Sequence, residues 1–322
     1  MTDAPIVELQ DLKKTYVTGL RRKRFEAVKG LTLSVDKGEI FAIVGPNGAG
    51  KTSTLKMITG LIKPTSGHVR VFGEPAGEAA SRQRLGYLPE GPYFYEHLTA
   101  RELLFYYGAL FGMSKKALAT RVDELIERVG LGHAHGRPIR KFSKGMRQRA
   151  GLAQALINDP ELVILDEPQS GLDPVGRKEV RDLIFDLKRQ GKTVILSSHI
   201  LPDVEAVCDR VAVLHHGQLR EVGTLHELTS EQNASIEILT RPMDPQSVDK
   251  LPHLKFQETR GQTLVLRFAG DADTRELIEA LYALNAHIIS VTPQKERLED
   301  VFLRDTQSPN TSSSDTTKGP TP

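Results

Sequence analysis

The sequence contains a single cysteine, Cys208, among its 322 residues, so no disulfide framework can form within the chain. Proteins without disulfides are typical of a reducing compartment, and we expect this one to work in the cytosol. No apolar run approaches the ~18 residues that a membrane-crossing helix needs. If the protein works at a membrane, we therefore expect another chain to supply the membrane spans.

An excess of charge of one sign is also missing. Lys and Arg number 43 against 41 Asp and Glu, which gives a formal net charge of +2. This balance gives no general attraction to nucleic acid, and we expect none as a partner. The segment Met1–Pro5 lacks the basic and then apolar arrangement of a signal peptide, so we expect no secretory leader. A length of 322 residues suits one large domain and a smaller one.

The most informative stretch is a glycine-rich loop between an apolar run and a helical pattern. The run Ile40–Val44 predicts a buried strand, and Ser53–Ile58 predicts a helix. Between them lies a match to G-x-x-x-x-G-K-[ST], a loop whose glycines let backbone N–H groups surround a phosphate. In this pattern Lys51 reaches the outer phosphates and Thr52 holds Mg²⁺. We expect the following residues to bind a nucleotide: Gly45, Pro46, Asn47, Gly48, Ala49, Gly50, Lys51, Thr52 and Ser53.

Two carboxylates follow a second buried strand. Leu162–Leu165 is typical of a central parallel strand, and Asp166 and Glu167 come directly after it. Ligands bind at the carboxyl ends of such strands. Downstream of a phosphate loop, we interpret Asp166 as a Mg²⁺ ligand and Glu167 as the catalytic base. A further strand, Thr193–Ser197, ends just before His199, for which both a structural and a functional role at the same sheet edge are open.

Three other features each allow two interpretations. Ser143 is a good N-cap for a helix, but Lys144 is unfavourable in its first turn unless an anion faces it. The helix is therefore either simply capped or meets an incoming phosphate there. Tyr16 is either a core aromatic at a strand end or a platform for adenine. The basic cluster Arg21–Arg24 is interpreted as a solvated turn, with contact to anionic lipid headgroups or a partner as the alternative.

Taken in chain order, these stretches resemble the ATP-binding subunit of an ATP-binding cassette (ABC) transporter. The resemblance covers about residues 6–224. The matched motifs are the adenine-stacking aromatic (Tyr16), the Walker A loop (Gly45–Thr52), the signature (Ser143–Met146), the Walker B strand (Leu162–Asp166) with its adjoining glutamate (Glu167), the D-loop (Ser170–Asp173) and the switch histidine (Ser198–His199). Several motifs in the family's order make this resemblance more specific than the phosphate loop alone.

The resemblance implies an α/β fold of the P-loop NTPase class. Such an ABC cassette has a RecA-like core with an antiparallel β subdomain and a helical subdomain. It also implies ATP and Mg²⁺ as cofactors, and a site shared by two subunits. One subunit would supply the phosphate loop with Tyr16, Glu90, Asp166, Glu167 and His199. The other would supply Ser143 and Gly145, and Asp173 of the D-loop is a further candidate for nucleotide contact.

The implied partners are an integral-membrane permease and either a second copy of the chain or a homologous ATP-binding subunit. The implied location is peripheral, on the cytoplasmic face of the cell membrane. Since the permease would make the substrate contacts, the cargo cannot be read from this chain.

Three positions depart from the usual family pattern. Glu90 stands where most members carry a glutamine; a carboxylate can still bind Mg²⁺, but it adds negative charge beside the γ-phosphate. In the signature, Lys144 and Met146 replace glycine and glutamine, and Met146 cannot donate a side-chain hydrogen bond. Gln169 replaces a small hydroxyl residue. The first two departures resemble subunits of ABC-2-type exporters, which include drug, antibiotic-resistance and gliding-type systems.

The C-terminal part predicts a small α/β domain similar to the accessory domain of many such exporter subunits. Its expected elements are strands at Ile236–Leu239, Thr263–Phe268 and His287–Val291, and helices at Arg275–Leu284 and Leu298–Phe302. Ser, Thr, Pro and Asn dominate from about Thr306, which predicts a disordered tail. The expected boundaries are 1–224 for the cassette, 225–233 for a linker, 234–305 for the accessory domain and 306–322 for the tail.

Two other function classes are alternatives to an exporter ATPase. A soluble ABC ATPase acting on nucleic acid or ribosomes usually carries tandem cassettes, long coiled-coil insertions or zinc-binding cysteines, and this sequence has none of them. A regulatory binding module with little hydrolysis is disfavoured by Glu167. The sequence therefore favours a subunit that hydrolyses ATP to power outward movement of a cargo through a separate permease.

Overall fold

The structure is a computed structural model, and it describes residues 4–19, 23–229, 235–241, 248, 251–269 and 272–294. The chain divides into two compact units, residues 1–232 and 233–322. Two residues of the basic cluster, Arg21 and Arg22, lie outside the described residues. The expected helix at Leu298–Phe302 and the expected tail also lie outside them.

The first unit contains two sheets. Its strands are β1 (Val7–Thr18), β2 (Lys23–Val35), β3 (Ile40–Val44), β4 (Ser66–Val71), β5 (Glu74–Pro75), β6 (Leu85–Leu88), β7 (Leu162–Asp166), β8 (Thr193–Ser198), β9 (Arg210–His215) and β10 (Gln218–Thr224). One sheet has the order β2-β1-β4-β5 with antiparallel pairing. The other has the order β10-β9-β3-β8-β7-β6 and is parallel except for the β9–β10 hairpin.

The parallel sheet explains the unbroken apolar runs of the sequence. Every residue of β3, β7 and β8 is buried, since the sheet is covered on both faces. Side chains of both sheets and of the helix after β3 form one hydrophobic core, which includes Leu9, Leu31, Phe41, Leu55 and Ile164. The mixed α/β architecture predicted from the sequence is confirmed.

The helices predicted after the glycine-rich loop and after Ser143 are present. The helices described in the first unit are α1 (Lys51–Ile58), α2 (Ala79–Gln83), α3 (Ala100–Leu110), α4 (Lys115–Arg128), α5 (Lys144–Ala155), α6 (Pro174–Arg189), α7 (Leu201–Glu205) and α8 (Leu225–Leu228). Side chains of Thr99, Ser114, Ser143 and Asp173 accept hydrogen bonds at the starts of α3, α4, α5 and α6. α8 falls within the segment expected as a linker. No helix in the described part of the chain is long and apolar enough to cross a bilayer.

The described residues of the second unit include a four-stranded antiparallel sheet packed against a helix. Its elements are β11 (Ser235–Thr240), β12 (Leu254–Arg260), β13 (Thr263–Ala269), α9 (Thr274–Ala283) and β14 (Ile288–Gln294), with the strand order β12-β13-β11-β14. Its core includes Ile238, Leu266, Phe268, Leu277 and Leu281. β12 was not predicted from the sequence; it is an edge strand whose residues are all exposed or half-buried.

Candidate active site

The glycine-rich loop joins β3 to α1 where other backbone segments approach it closely. Gly50 has φ +103°, and a Cβ added there would overlap the Ala27 carbonyl oxygen. A Cβ at Gly45 would overlap the Leu214 carbonyl oxygen in the same way. Both positions therefore require glycine. Gly50 also caps α1 without a side chain, which leaves the first N–H groups of the helix available to an anion.

Lys51 is buried at the centre of this loop, with 6% of its surface exposed. Its Nζ donates hydrogen bonds to the carbonyl oxygens of Gly45 (2.7 Å) and Pro46 (3.3 Å). The same Nζ lies 3.4 Å from Oε1 of Glu167, which is also buried. A buried cation is thus held beside the N-terminus of α1, where both would attract a phosphate.

Asp166 lies at the end of β7 and accepts two hydrogen bonds on one oxygen. Thr52 Oγ1 donates to Asp166 Oδ1 at 3.1 Å, and Ser197 Oγ donates to it at 2.6 Å. The other oxygen, Oδ2, is buried without a partner. Burial raises the pKa of Asp166, the charges of Glu90 and Glu167 raise it further, and the two hydrogen bonds oppose this rise. A buried, unpartnered carboxylate oxygen fits a cation ligand.

No group of three or more His, Cys, Asp or Glu side chains that could hold a metal occurs among the described residues. Mg²⁺ does not need such a group, because it is commonly held by one or two protein oxygens together with substrate phosphates. The Thr52 hydroxyl and Asp166 Oδ2 suit that kind of site.

Glu167 is held between Lys51 and His199. His199 Nδ1 lies 2.8 Å from Glu167 Oε2, while Oε1 faces Lys51. The Glu167 backbone has φ +50°, a left-handed conformation that is uncommon for a residue with a side chain. Its N–H donates to Ser197 Oγ at 2.9 Å. The predicted phosphate-binding lysine, the predicted base and the predicted switch histidine are therefore brought together by three different elements.

A cavity of about 300 Å³ lies over the loop. Tyr16 lines one side, and its hydroxyl is 3.3 Å from Ser53 Oγ. Lys14 Nζ lies 5.2 Å from the centre of the Tyr16 ring. The other lining residues are Phe25, Ala27, Pro46, Asn47, Gly48, Ala49, Gly50, Lys51, Thr52, Ser53, Glu90 and Glu167. Tyr16 is thus a cavity wall, and Glu90 also lines a second cavity that it shares with Thr52 and Asp166.

Ser143 and Gly145 of the signature do not line the cavity over the loop, whereas Lys144 lines the second cavity together with Thr52, Glu90 and Asp166. Ser143 caps α5 by accepting the Met146 N–H at 3.2 Å. Ser143, Gly145 and Asp173 line a cavity of about 490 Å³ that shares no lining residue with the cavity over the loop. Asp173 caps α6 through a 2.8 Å bond from the Gly176 N–H. Within one chain, these three residues are not brought to the phosphate loop.

Comparison with known proteins gives the family. A family model described as "ABC transporter" matches residues 28–170. An uncharacterized ABC transporter ATP-binding protein of Synechocystis sp. is 42% identical, over 94% of this chain and 84% of that protein. This chain belongs to the family of ABC transporter ATP-binding proteins. The bacitracin transport ATP-binding protein BcrA of Bacillus licheniformis is 36% identical over 93% of this chain and 96% of the relative. The Nod factor export ATP-binding protein I of Rhizobium sp. is 34% identical over 92% and 96%.

Solved structures agree with this assignment. An ATP-binding subunit of an ABC transporter has a TM-score of 0.63 and 32% identity, and covers 69% of this chain and 91% of that one. The ATP-binding cassette MJ0796, solved as a dimer in a post-hydrolysis state with ADP and phosphate, has a TM-score of 0.63 and 26% identity over 68% and 98%. The chain described here is therefore, like these relatives, an ATP-binding subunit that hydrolyses ATP.

Sequence reasoning missed two residues of the cassette that touch the candidate site. Ser197 bonds both Asp166 and the Glu167 backbone. The register of β7 and β8 pairs Asp166 with Ser197. A polar residue at the end of the neighbouring strand could therefore have been predicted as a partner of Asp166. Gln148 on α5 donates from Nε2 to the Pro168 carbonyl oxygen at 3.0 Å. It is separated from the carboxylates by 18 or more positions, and no local pattern predicts its contact.

Proposed function

We propose that this cassette powers export. It works as a peripheral protein on the cytoplasmic face of the membrane, where ATP hydrolysis by paired cassettes drives outward movement of a cargo through a separate permease. The observation that carries the hydrolytic part is the position of Glu167, 3.4 Å from Lys51 Nζ and 2.8 Å from His199 Nδ1 at the tip of a parallel sheet. The outward direction is supported by the relative whose name specifies Nod factor export.

The proposed roles follow from the contacts of each side chain. Lys51 and the N–H groups at the start of α1 bind the outer phosphates, and Tyr16 stacks on the adenine. Glu167 is the general base for the attacking water, and His199 holds both this carboxylate and the γ-phosphate. Thr52 and Asp166 hold Mg²⁺, with Glu90 at the edge of the same cavity. When bound, the metal neutralises phosphate charge.

The proposed site is completed by a second cassette. Ser143, Gly145 and Asp173 line a cavity that has no lining residue in common with the cavity over the phosphate loop, which favours a second copy as the source of the signature at each site. A two-fold, head-to-tail pairing would place the signature of each copy over the phosphate loop of the other. The cation Lys144 in the first turn of α5 then faces the partner's γ-phosphate, which removes its conflict with the helix dipole. The dimeric cassette among the solved relatives supports this arrangement.

The permease is proposed to dock on the helical region beside Glu90. Apolar side chains are exposed there: Tyr93 is 97% exposed, Leu110 65% and Tyr106 43%. Exposed apolar surface of this kind is typical of a protein interface. For the rest of the chain we propose an accessory domain at 234–305 that stabilises the dimer or the docked complex, and a tail at 306–322.

The test of the catalytic assignment is Glu167→Gln. The amide keeps the shape of the side chain but cannot accept a proton from water, so ATP binding should persist while steady-state hydrolysis falls by at least about 100-fold. An ATP-bound dimer should accumulate on gel filtration. Glu161→Gln is the matched control, because Glu161 precedes the same strand, is half-buried and pairs with Arg84. A Glu167→Gln protein that hydrolyses ATP at the normal rate would refute this role.

The test of the transport assignment is capture of the partner. The tagged full-length chain, purified from native membranes, should bring down a multi-span membrane protein. Purified permease in vesicles should then move cargo away from the cassette side only with ATP and with intact Glu167. Recovery of ribosomes or nucleic acid without any membrane protein would contradict the proposal.

A further inference from the structure

Gln148 is a buried polar side chain that the proposed mechanism does not use. It lies on α5, more than one turn after the N-cap Ser143, and only 3% of its surface is exposed. Its amide nitrogen donates to the carbonyl oxygen of Pro168 at 3.0 Å and lies 3.4 Å from that of Glu167. The opposite amide orientation would place Oε1 against two carbonyl oxygens, so these contacts fix the orientation.

The two carbonyls belong to the turn that carries the proposed base. Glu167 adopts φ +50°, which costs free energy and persists only where surrounding contacts hold it. One set of contacts comes from β8, through Ser197 Oγ and the Glu167 N–H. The other comes from α5, through Gln148. A further bond from the Ser170 N–H reaches the Glu167 carbonyl, but among the described contacts Gln148 alone ties the Pro168 carbonyl to another element.

We propose that Gln148 is a positioning residue that holds the Glu167–Pro168 turn, and with it the Glu167 carboxylate, in the orientation needed for hydrolysis. The inference rests on the proposed role of Glu167 as the base. In this arrangement α5 has two roles. Its first turn contacts the nucleotide bound by the partner copy, and its second turn positions the base of its own copy. Gln148 is not in the wall of the nucleotide cavity, so it should affect the chemical step and leave ATP affinity unchanged.

The first test is Gln148→Met, which keeps the length of the side chain and removes both donors. A small displacement of a reacting group can cost about 100-fold in rate, and we expect kcat to fall by about 10- to 100-fold with KM and the Kd for ATP unchanged. Gln154→Met is the matched control, since Gln154 is half-buried on the same helix. If the methionine variant does not fold, Gln148→Asn replaces it: this variant keeps an amide in the buried site, but its side chain is shorter by one methylene group, so kcat should still fall while the Kd for ATP stays unchanged.

The second test separates a local effect from a general one by mixing chains. A large excess of Glu167→Gln chain provides a partner that binds ATP without hydrolysing it, so each active chain supplies the only working base of its dimer. Placing Gln148→Met in the active chain should reduce turnover as strongly as in the homodimer. Placing it in the Glu167→Gln chain should leave turnover equal to that of the wild-type mixture.

The outcomes distinguish the inference from the function on which it rests. The positioning role is overturned if turnover falls equally in both arrangements, or falls only when the Glu167→Gln chain carries Gln148→Met. In those cases the effect passes through folding or through the signature. Full activity of the Gln148→Met homodimer also overturns it. A Glu167→Gln chain that itself hydrolyses ATP overturns the assignment of the base, and the role of Gln148 falls with it.

Discussion

The two units of this chain use their sheets differently. In the first, β3, β7 and β8 are buried on both faces and parallel, so their carboxyl ends meet at one edge. Lys51, Asp166, Glu167 and Ser197 are buried at that edge. In the second unit the strands are antiparallel, and Thr240 is the one polar residue among its described buried side chains. The first sheet concentrates charge where a ligand binds, and the second concentrates apolar surface.

Loss of the buried cation should have the largest effect. Lys51→Ala removes the lysine that faces the outer phosphates and leaves Glu167 buried without this partner. The charge-assisted hydrogen bonds from Lys51 to the outer phosphates are lost, and an unpaired carboxylate remains beside them, so we expect ATP affinity to fall about 1,000-fold and hydrolysis to disappear. Nucleotide titration measures this, with Lys63→Ala, on the exposed segment after α1, as the control. Micromolar binding by Lys51→Ala would remove the main contrast between the two units.

A core truncation in the second unit should affect stability without affecting catalysis. Leu266 on β13 is fully buried among the residues of the second core. Leu266→Ala should lower the free energy of unfolding of this unit by about 2–5 kcal/mol. Hydrogen exchange of β11 and β13 reports this change, and ATP affinity should stay constant. Ile289→Ala, at a side chain that is 51% exposed on β14, is the control. A parallel loss of ATP affinity would show that the units are not separable.

Most elements of the first unit could be predicted from the sequence because their patterns are contiguous in the chain. The strand, loop and helix around Lys51 and the apolar run before Asp166 are each contiguous, and the structure contains both as predicted. β12 was not predicted because Leu254–Arg260 has alternating charges and lies at a sheet edge. An edge strand is little buried, so it shows no clear alternation of apolar and polar residues. Ser197 and Gln148 were missed because their contacts depend on strand register and on helix packing.

The boundaries of the predicted units and the roles of the site residues depend on different information. α8 lies inside the segment expected as a linker, since the Thr224 and Glu227 side chains cap it reciprocally. That capping box was readable from Thr224 and Glu227, three positions apart. The role of Ser143 and Gly145 was predicted from the family resemblance alone, and within one chain their cavity and the cavity over the phosphate loop have no lining residue in common.

A charge reversal at the start of α5 should have a smaller effect than either loss above. Lys144→Glu places a carboxylate where the partner's γ-phosphate is proposed to lie, so ATP-driven dimerisation should weaken about tenfold while the Kd of the single chain for ATP is unchanged. Lys115→Glu is a close control, because Lys115 also follows a serine N-cap at the first position of a helix. Equal dimerisation of Lys144→Glu and wild type on gel filtration in ATP would contradict the shared site.

The smallest effect concerns stability at the catalytic edge itself. Asp166 carries a buried Oδ2 without a partner, and burial raises its pKa above the ordinary 3.8. Ionisation of this group therefore costs folding free energy, and stability falls as pH rises from 3.8 through the raised pKa.

Asp166→Asn keeps an acceptor for Thr52 and Ser197 and removes the charge. At neutral pH, with a chelator and no nucleotide, it should raise the free energy of unfolding by about 1 kcal/mol while abolishing hydrolysis. The gain should shrink as pH falls through the raised pKa, because the wild-type carboxyl then becomes neutral as well. Asp209→Asn is the opposite case, since Asp209 accepts the Ile40 N–H and pairs with Lys188, and it should lose stability. Thermal melting of both variants across pH measures these opposite changes in stability. If Asp166→Asn is destabilised, the buried charge of Asp166 does not cost folding free energy at this edge of the parallel sheet.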